Sequence, residues 1–356
     1  MPPDDTEVLG RVFGTLDPGA GPWSILRRNG HILLGLPRSS EAAGRALRLY
    51  QPQRKAARLV AGGLNILIDS GMHGPLLPKF RGNSEKIPTV PLLTGIETGS
   101  CGVMLGSPEH RVRRAIASYR TDNGWEVAKI AFGQDGIRGI EREAEVLAGL
   151  QNKTGSAPRL IGVHHGEDFA LLRMPYLTGI PIPMGETREA LALLNEWKSD
   201  LTNIPAADFS EWSSIDSAIS SCEQNPALRR RLAGISLKPV ICHGDFARWN
   251  LLRRNDGSLI VLDWEWGREN GMPGIDLAHY FAQDARLVRK LSPTDAVRAT
   301  VAALETPPCR QYLADTGWTG SELEPVIASL AFKQGARQQD NLEILKAALD
   351  LASSNG

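Results

Sequence analysis

The chain has 356 residues, 42% hydrophobic and 22% charged, and its 40 basic and 40 acidic side chains cancel to a formal net charge of zero. A chain of this length can bury more than one core, and balanced charge gives no general pull toward nucleic acid or an anionic membrane. No apolar run approaches the roughly 20 residues needed to span a bilayer. The acidic start Met1-Pro2-Pro3-Asp4-Asp5-Thr6-Glu7 lacks a secretion signal, and Cys101, Cys222, Cys242 and Cys309 show neither C-x-x-C nor zinc spacing. A soluble, cytoplasmic protein with reduced thiols, no transmembrane segment and no nucleic-acid partner is expected.

Residues 1–94 read as an extension. Within it, the apolar runs 23–26 and 31–34 flank Arg27-Arg28-Asn29-Gly30, a hairpin with an Asn-Gly turn. Over 52–68, Ala56, Leu59, Val60, Leu64 and Leu67 recur at helical spacing, and the Gly/Pro-rich stretch 71–91 reads as loop. Residues 27–58 hold eight basic side chains against one acid, which reads as a solvated face, with an anionic substrate group, lipid headgroup or partner as the alternative. From residue 96 the pattern is strand-rich. Segments 103–105, 114–119 and 125–131 alternate with turns at Gly106-Ser107-Pro108 and Asn123-Gly124. A helix follows over 139–150, with Ile140, Ala144, Leu147 and Leu150 as its stripe and Glu143 set apart from it. Residues 169–174 form a further strand, Pro175-Tyr176-Leu177 a hinge, and the remainder is mostly helical in pattern. Residues 1–175 carry about +5 and the rest about −5, a mild bias of an anionic ligand toward the first half.

The chemistry concentrates at His243-Gly244-Asp245-Phe246-Ala247-Arg248-Trp249-Asn250, followed by Asp263-Trp264-Glu265. Between them, Leu251-Leu252 and Leu259-Ile260-Val261-Leu262 are separated by Asn255-Asp256-Gly257-Ser258, which predicts a hairpin. A two-residue turn at Asp256-Gly257 would bring Asn250 and Asp263 together at its open end. A carboxamide and a carboxylate suit Mg²⁺, which takes one or two protein oxygens and completes its shell with phosphates and water. Glu265 becomes a third candidate ligand if the strand continues. Asp245, on the preceding loop, is placed to orient an attacking hydroxyl and take its proton.

This ordered set, H-G-D-x-x-x-x-N, hairpin, D-W-E and then Gly271-Met272-Pro273-Gly274-Ile275-Asp276-Leu277-Ala278, resembles the aminoglycoside phosphotransferase and choline kinase-like family of small-molecule kinases. The resemblance implies an α+β, bilobal protein-kinase-like fold. An antiparallel nucleotide-binding lobe would cover 95–175 and a helical lobe with the catalytic loop and acceptor site 176–356, after the 1–94 extension. It implies Lys129, in Val127-Ala128-Lys129-Ile130, as the phosphate-binding lysine paired with Glu143. Gly106 and Ser107 would form a phosphate-covering turn, with a plain hairpin turn as the alternative. Met174 and Leu177 would floor the adenine, with core packing as the alternative. Asp245 would be the catalytic carboxylate, Asn250 and Asp263 the Mg²⁺ ligands, His243 a scaffold and Asp276 a helix cap.

The expected function is transfer of a phosphoryl group from ATP or GTP, with Mg²⁺, to a hydroxyl of a small molecule such as a sugar, amino sugar or amino alcohol. A charge of about −5 in the second half is weak for a polycationic drug. A catalytically silent nucleotide- or partner-binding module and a kinase acting on a macromolecular or glycolipid acceptor stand as alternatives.

Overall fold

The computed structural model describes residues 4–16, 21–50, 55–80, 96–106, 112–183, 185–222, 226–337 and 342–354. The chain divides into two compact units, Met1–Gln151 with Pro158–Leu177, and Asn152–Ala157 with Thr178–Gly356. In the first unit α1 (Asp5–Leu16), β1 (Trp23–Arg28), β2 (His31–Leu36), α2 (Ser40–Leu49), α3 (Lys55–Asp69), α4 (His73–Leu76), β3 (Lys79–Phe80) and β4 (Gly102–Leu105) come first. Then follow β5 (Arg114–Thr121), β6 (Gly124–Phe132), α5 (Gly133–Leu150), β7 (Gly162–His165) and β8 (Phe169–Pro175). The strands form one antiparallel sheet in the order β3-β1-β2-β4-β5-β6-β8-β7.

The expected hairpin is β1–β2. Asn29 and Gly30 both take positive φ, 50° and 83°, which matches the right-handed twist of the flanking strands and explains the Asn-Gly pair. Residues 1–94, however, are not a separate extension. Leu34 pairs with Met104 and Gly35 with Val103, so this segment supplies three strands of the sheet. Two helices in it were not expected. Val8, Leu9, Val12, Phe13 and Leu16 of α1 pack with Val103, Leu105, Ala115 and Ala117, and Ala43, Ala46 and Leu47 of α2 pack with Leu34, Leu36, Leu64 and Ile68. A Cβ on Gly102 would stand 2.4 Å from that of Ala46, so α2 lies against β4 closely enough that only glycine fits. Within 71–91, α4 and β3 occupy part of what reads as loop, and residues 81–91 lie outside the described ones.

The helix expected over 52–68 is α3, but its apolar residues are split. Leu64 and Ile68 are buried, whereas Leu59, Val60 and Ile66 are exposed. Helix α5 begins at Gly133, ahead of the expected 139. Between β5, β6 and β8, the Arg173 guanidinium donates through Nε and Nη2 to Glu126 Oε2 at 3.0 and 2.7 Å, and the Tyr119 hydroxyl donates to the same oxygen at 3.1 Å. Burial first, then the neighbouring Glu126 carboxylate, pushes the Tyr119 hydroxyl well up, so it stays a proton donor to that carboxylate.

The second unit contains β9 (Ile180–Pro181), α6 (Thr187–Glu196), β10 (Ile204–Pro205), α7 (Trp212–Cys222), α8 (Pro226–Gly234), β11 (Ser236–Leu237), β12 (Val240–Cys242) and β13 (Leu251–Arg253). These precede β14 (Leu259–Val261), β15 (Arg268–Gly271), α9 (Ile275–Gln283), α10 (Pro293–Leu304), α11 (Pro307–Asp315), α12 (Leu323–Arg337) and α13 (Leu342–Ser354). It is mostly helical, with three small antiparallel pairings, β10–β11, β12–β15 and β14-β13-β9. A unit built on an antiparallel sheet and a mostly helical unit agree with the α+β class expected from the motifs. Trp197 and Trp264 lie 5.3 Å apart between ring centroids, and Trp264 meets the His243 ring at 4.8 Å; both tryptophans are fully buried core. Among the described residues no helix is long and apolar enough to cross a membrane.

Candidate active site

The predicted hairpin is β13–β14, but its turn is longer than a two-residue one. Arg254 donates its N–H to the Ser258 carbonyl at 2.8 Å, and Gly257 donates to Arg254 at 3.0 Å with φ 85°. Three residues, Asn255, Asp256 and Gly257, therefore make the turn, with glycine in the left-handed position that such loops need. The register consequently moves by one. Leu251 faces Val261, and the Leu262 N–H reaches the Asn250 carbonyl at 2.8 Å, so Asn250 sits opposite Leu262 and not Asp263. Asp263 follows immediately, at φ 68°. A non-glycine residue in the left-handed region costs of the order of 1 kcal/mol and is best tolerated by Asp or Asn.

The loop from β12 into this hairpin is tied down from several sides. Asp276, near the start of α9, accepts the N–H groups of His243 at 2.6 Å and Gly244 at 2.8 Å. It thus caps the loop after β12, and its expected role as a cap of its own helix does not hold, since that cap makes no side-chain bond. The Asp245 N–H points at His243 Nδ1 at 3.2 Å, so this nitrogen accepts. The proton must then sit on Nε2, which donates to the Leu262 carbonyl at 2.9 Å. His243 is a neutral strut between the loop and the hairpin. Asn250 Nδ2 donates to the Asp245 carbonyl at 2.9 Å. Gly244 takes φ 73°, and a Cβ there would lie 2.5 Å from the Trp266 carbonyl oxygen. Gly244→Ala is expected to destabilise the protein by about 3 kcal/mol, combining left-handed strain with a backbone clash; urea unfolding reads this directly.

Burial holds the His243 ring below its ordinary 6.5, against the opposite pull of Asp276, Asp245 and Asp263. The unfolded chain therefore binds a proton at this histidine before the folded one does, so stability is lost as pH falls below 6.5, at up to about 1.4 kcal/mol per pH unit. Burial raises Asp276 above its ordinary 3.8, which acts in the opposite sense over a window beginning at 3.8. Urea midpoints measured from pH 7.5 down to 5.5 are expected to fall, and His243→Asn to flatten that slope.

Asp245 is only slightly exposed, and both its main partners come from outside the motif. Lys333 Nζ, on α12, lies 2.5 Å from Asp245 Oδ1, and His279 Nε2, on α9, lies 3.1 Å from the same oxygen. Lys333 is 3% and His279 2% exposed. Neither residue was expected. His279 follows Asp276 by three positions and so shares its helix face; Lys333 interrupts the buried apolar run that ends at Phe332, a signal that only reads as significant once its partner is known.

Asn250 and Asp263 are oxygen donors of the kind Mg²⁺ accepts. Because Asn250 commits its nitrogen end to the Asp245 carbonyl, its oxygen is the end turned away from the loop. This fits an ion held by two protein ligands and completed by phosphates and water; among the described residues no cluster of three or more His, Cys, Asp or Glu side chains forms a metal cage. Glu265 does not fit its expected place. Strand β14 ends at Val261, a turn follows with the Gly267 N–H on the Trp264 carbonyl, and Glu265 Oε1 accepts the Trp266 indole N–H at 3.0 Å.

In the first unit, Lys129 on β6 and Glu143 on α5 form a buried pair, Nζ to Oε2 2.6 Å. Glu143 lies within the buried stripe of Ile140, Ala144, Leu147 and Leu150 and not apart from it, while Glu141 and Glu145 are exposed. The ammonium of Lys129 explains this, since a buried carboxylate needs a counter-charge. Gly106 donates its N–H to the Arg114 carbonyl at 2.9 Å, which closes the β4–β5 turn and engages the group that was to meet a phosphate. Ser107 lies outside the described residues. Met174, opposite Val127 on β8, and Leu177, at the end of this unit, are half-buried. Cys242 is buried, and its thiol is held far above the ordinary range by burial and by Asp276 and Glu211, so it is inert filler.

The first unit thus holds a buried lysine–glutamate pair on its sheet, and the second an aspartate loop leading into a hairpin. The profile described as the phosphotransferase enzyme family matches residues 185–313, the part of the chain that holds β12, the Asp245 loop and the β13–β14 hairpin. No curated protein matches the sequence. Solved structures similar to the chain include an aminoglycoside phosphotransferase from Streptomyces rimosus, 16% identical over 65% of this chain and 89% of that one, TM-score 0.40. A choline kinase from Streptococcus pneumoniae is 15% identical over 73% and 95%, TM-score 0.44. A putative fructosamine-3-kinase from Haemophilus somnus is 11% identical over 72% and 91%, TM-score 0.45.

Proposed function

We propose that the protein transfers a phosphoryl group from ATP or GTP to a hydroxyl of a small molecule, a sugar, amino sugar or amino alcohol. The observation that carries this reading is the fixed carboxylate of Asp245, its loop braced by Asp276, His243 and Asn250 and its side chain held by Lys333 and His279. A carboxylate so placed orients an incoming hydroxyl and takes its proton late in a loose transition state. Lys129, steadied by Glu143, would bind nucleotide phosphates, and Met174 and Leu177 would floor the base. Asn250 and Asp263 would hold Mg²⁺, which when bound neutralises phosphate charge. The Lys333 ammonium offsets negative charge at Asp245, so a polycationic acceptor gains little there.

A catalytically silent module is disfavoured by the presence together of Lys129, Asp245, Asn250 and Asp263. A macromolecular or glycolipid acceptor has one observation in its favour, the outward residues Leu59, Val60 and Ile66 of α3. Deleting residues 1–94 cannot test it, because that removes three strands of the sheet. Leu59→Ser with Ile66→Ser leaves the sheet intact and should not alter turnover of a soluble acceptor. The function itself is tested by incubating the protein with Mg²⁺, either nucleotide and a panel of hydroxyl compounds, and reading phosphorylated products by mass spectrometry. Nucleotide binding without transfer to any hydroxyl would establish the silent module instead.

A further inference from the structure

We propose that Lys333 is a positioning residue for this phosphoryl transfer, fixing the carboxylate of Asp245 from a helix that carries none of the sequence motifs; the inference rests on the function proposed above. Burying an ammonium is expensive, and a well-packed apolar side chain at the same place is commonly as stable or more so. Lys333 nonetheless sits 3% exposed on α12 directly after Ala331 and Phe332, both buried apolar residues, so packing gives no reason for a charge there. Its partner does. Lys333 Nζ and His279 Nε2 converge on one oxygen, Asp245 Oδ1, at 2.5 and 3.1 Å. Two donors on one carboxylate oxygen set the rotation about the Cβ–Cγ bond, which gives the second oxygen a single direction.

The backbone of the same residue is fixed independently. His243 Nδ1 holds its N–H and Asn250 Nδ2 its carbonyl. Helix α12 is in turn tied to α9, the helix that carries Asp276 and His279, by the Ser329 hydroxyl donating to the Ile275 carbonyl at 3.0 Å. Loop, helix α9 and helix α12 therefore form one frame around a single carboxylate. Reactivity depends steeply on such placement, and a shift of about 1 Å at a reacting group can cost about 10²-fold in rate.

The test uses the full chain, its turnover measured with the acceptor found by the screen and with water as acceptor, comparing wild type, Lys333→Met and Lys333→Arg. Lys333→Met is expected to lower kcat about 10- to 100-fold with the KM for nucleotide within about twofold of wild type, and Lys333→Arg to regain part of that loss. A purely structural lysine would lower the melting temperature without this split, so a folded Lys333→Met protein with kcat within about twofold of wild type overturns the proposal. Should Lys333→Met fail to fold, His279→Leu removes the other donor on the same oxygen and leaves the ion pair. A fall in its kcat at constant nucleotide KM supports the frame, and unchanged kcat overturns it. A wild type that binds nucleotide yet never transfers phosphate overturns the functional reading and this role together, an outcome distinct from loss of the Lys333 effect alone.

Discussion

Asp245→Asn is expected to lower kcat about 10²- to 10⁴-fold, the range for a positioned group that handles the proton of the nucleophile, while nucleotide binding is retained. The substitution keeps the size of the side chain and an acceptor oxygen for His279, but it removes the charge that compensates Lys333. Losing one partner of a buried pair costs about 3–5 kcal/mol, and the remaining carboxamide oxygen puts this case at the lower end. Lost activity and lost stability would thus arrive together, and kinetics alone would not separate them. The double variant Asp245→Asn with Lys333→Met separates them. Removing both charges leaves no uncompensated ion, so the melting temperature should return toward that of wild type while turnover stays at the Asp245→Asn level. Recovery of turnover along with stability would show that Asp245 supports the fold and does not act on the acceptor.

Lys129→Met is expected to reduce kcat about 10²- to 10³-fold with ATP, the loss typical of removing one preorganised donor to a charged transition state. The physical reason lies in the pair with Glu143, Nζ to Oε2 2.6 Å, both side chains nearly buried. Glu143 aims the ammonium from α5 and cannot itself meet a phosphate, so its own replacement acts through Lys129. Glu143→Gln, which keeps an acceptor oxygen, should therefore lose less than Lys129→Met, chiefly as a raised KM for nucleotide. Steady-state kinetics on both variants check the ordering; equal losses, or a larger one for Glu143→Gln, would assign the phosphate contact elsewhere.

Much of this arrangement was legible before any coordinates. Short-range signals carried it, because turn chemistry and strand alternation are properties of neighbouring residues. The Asn29-Gly30 hairpin, β4 to β6 and the β13–β14 hairpin all follow from them. The structure departs from these local signals where one residue of register or one distant contact decides the outcome. Asp256-Gly257 marks the turn correctly, yet a three-residue turn shifts Asn250 opposite Leu262, since each added loop residue moves the pairing by one. The burial of Glu143 has no signal within its own helix, because the counter-charge it depends on, Lys129, is fourteen positions away on a strand. Helix α2 leaves little local signal because its buried side is largely alanine, a weak apolar stripe whose close packing depends on Gly102 of β4.

The amino-acid sequence by itself determined which candidate groups come together in the second unit. His243, Asp245, Asn250 and Asp263 lie within 21 consecutive positions, so a single loop and hairpin carry all four. Only the tertiary structure decided how Asp245 is held and what becomes of residues 1–94. Lys333 is 88 positions from Asp245, and β2 meets β4 across a long intervening segment. Contacts of that span are set by the packing of helices and sheet, where the free energy of burying a charge or an apolar face depends on every neighbour at once and leaves no local pattern in the chain.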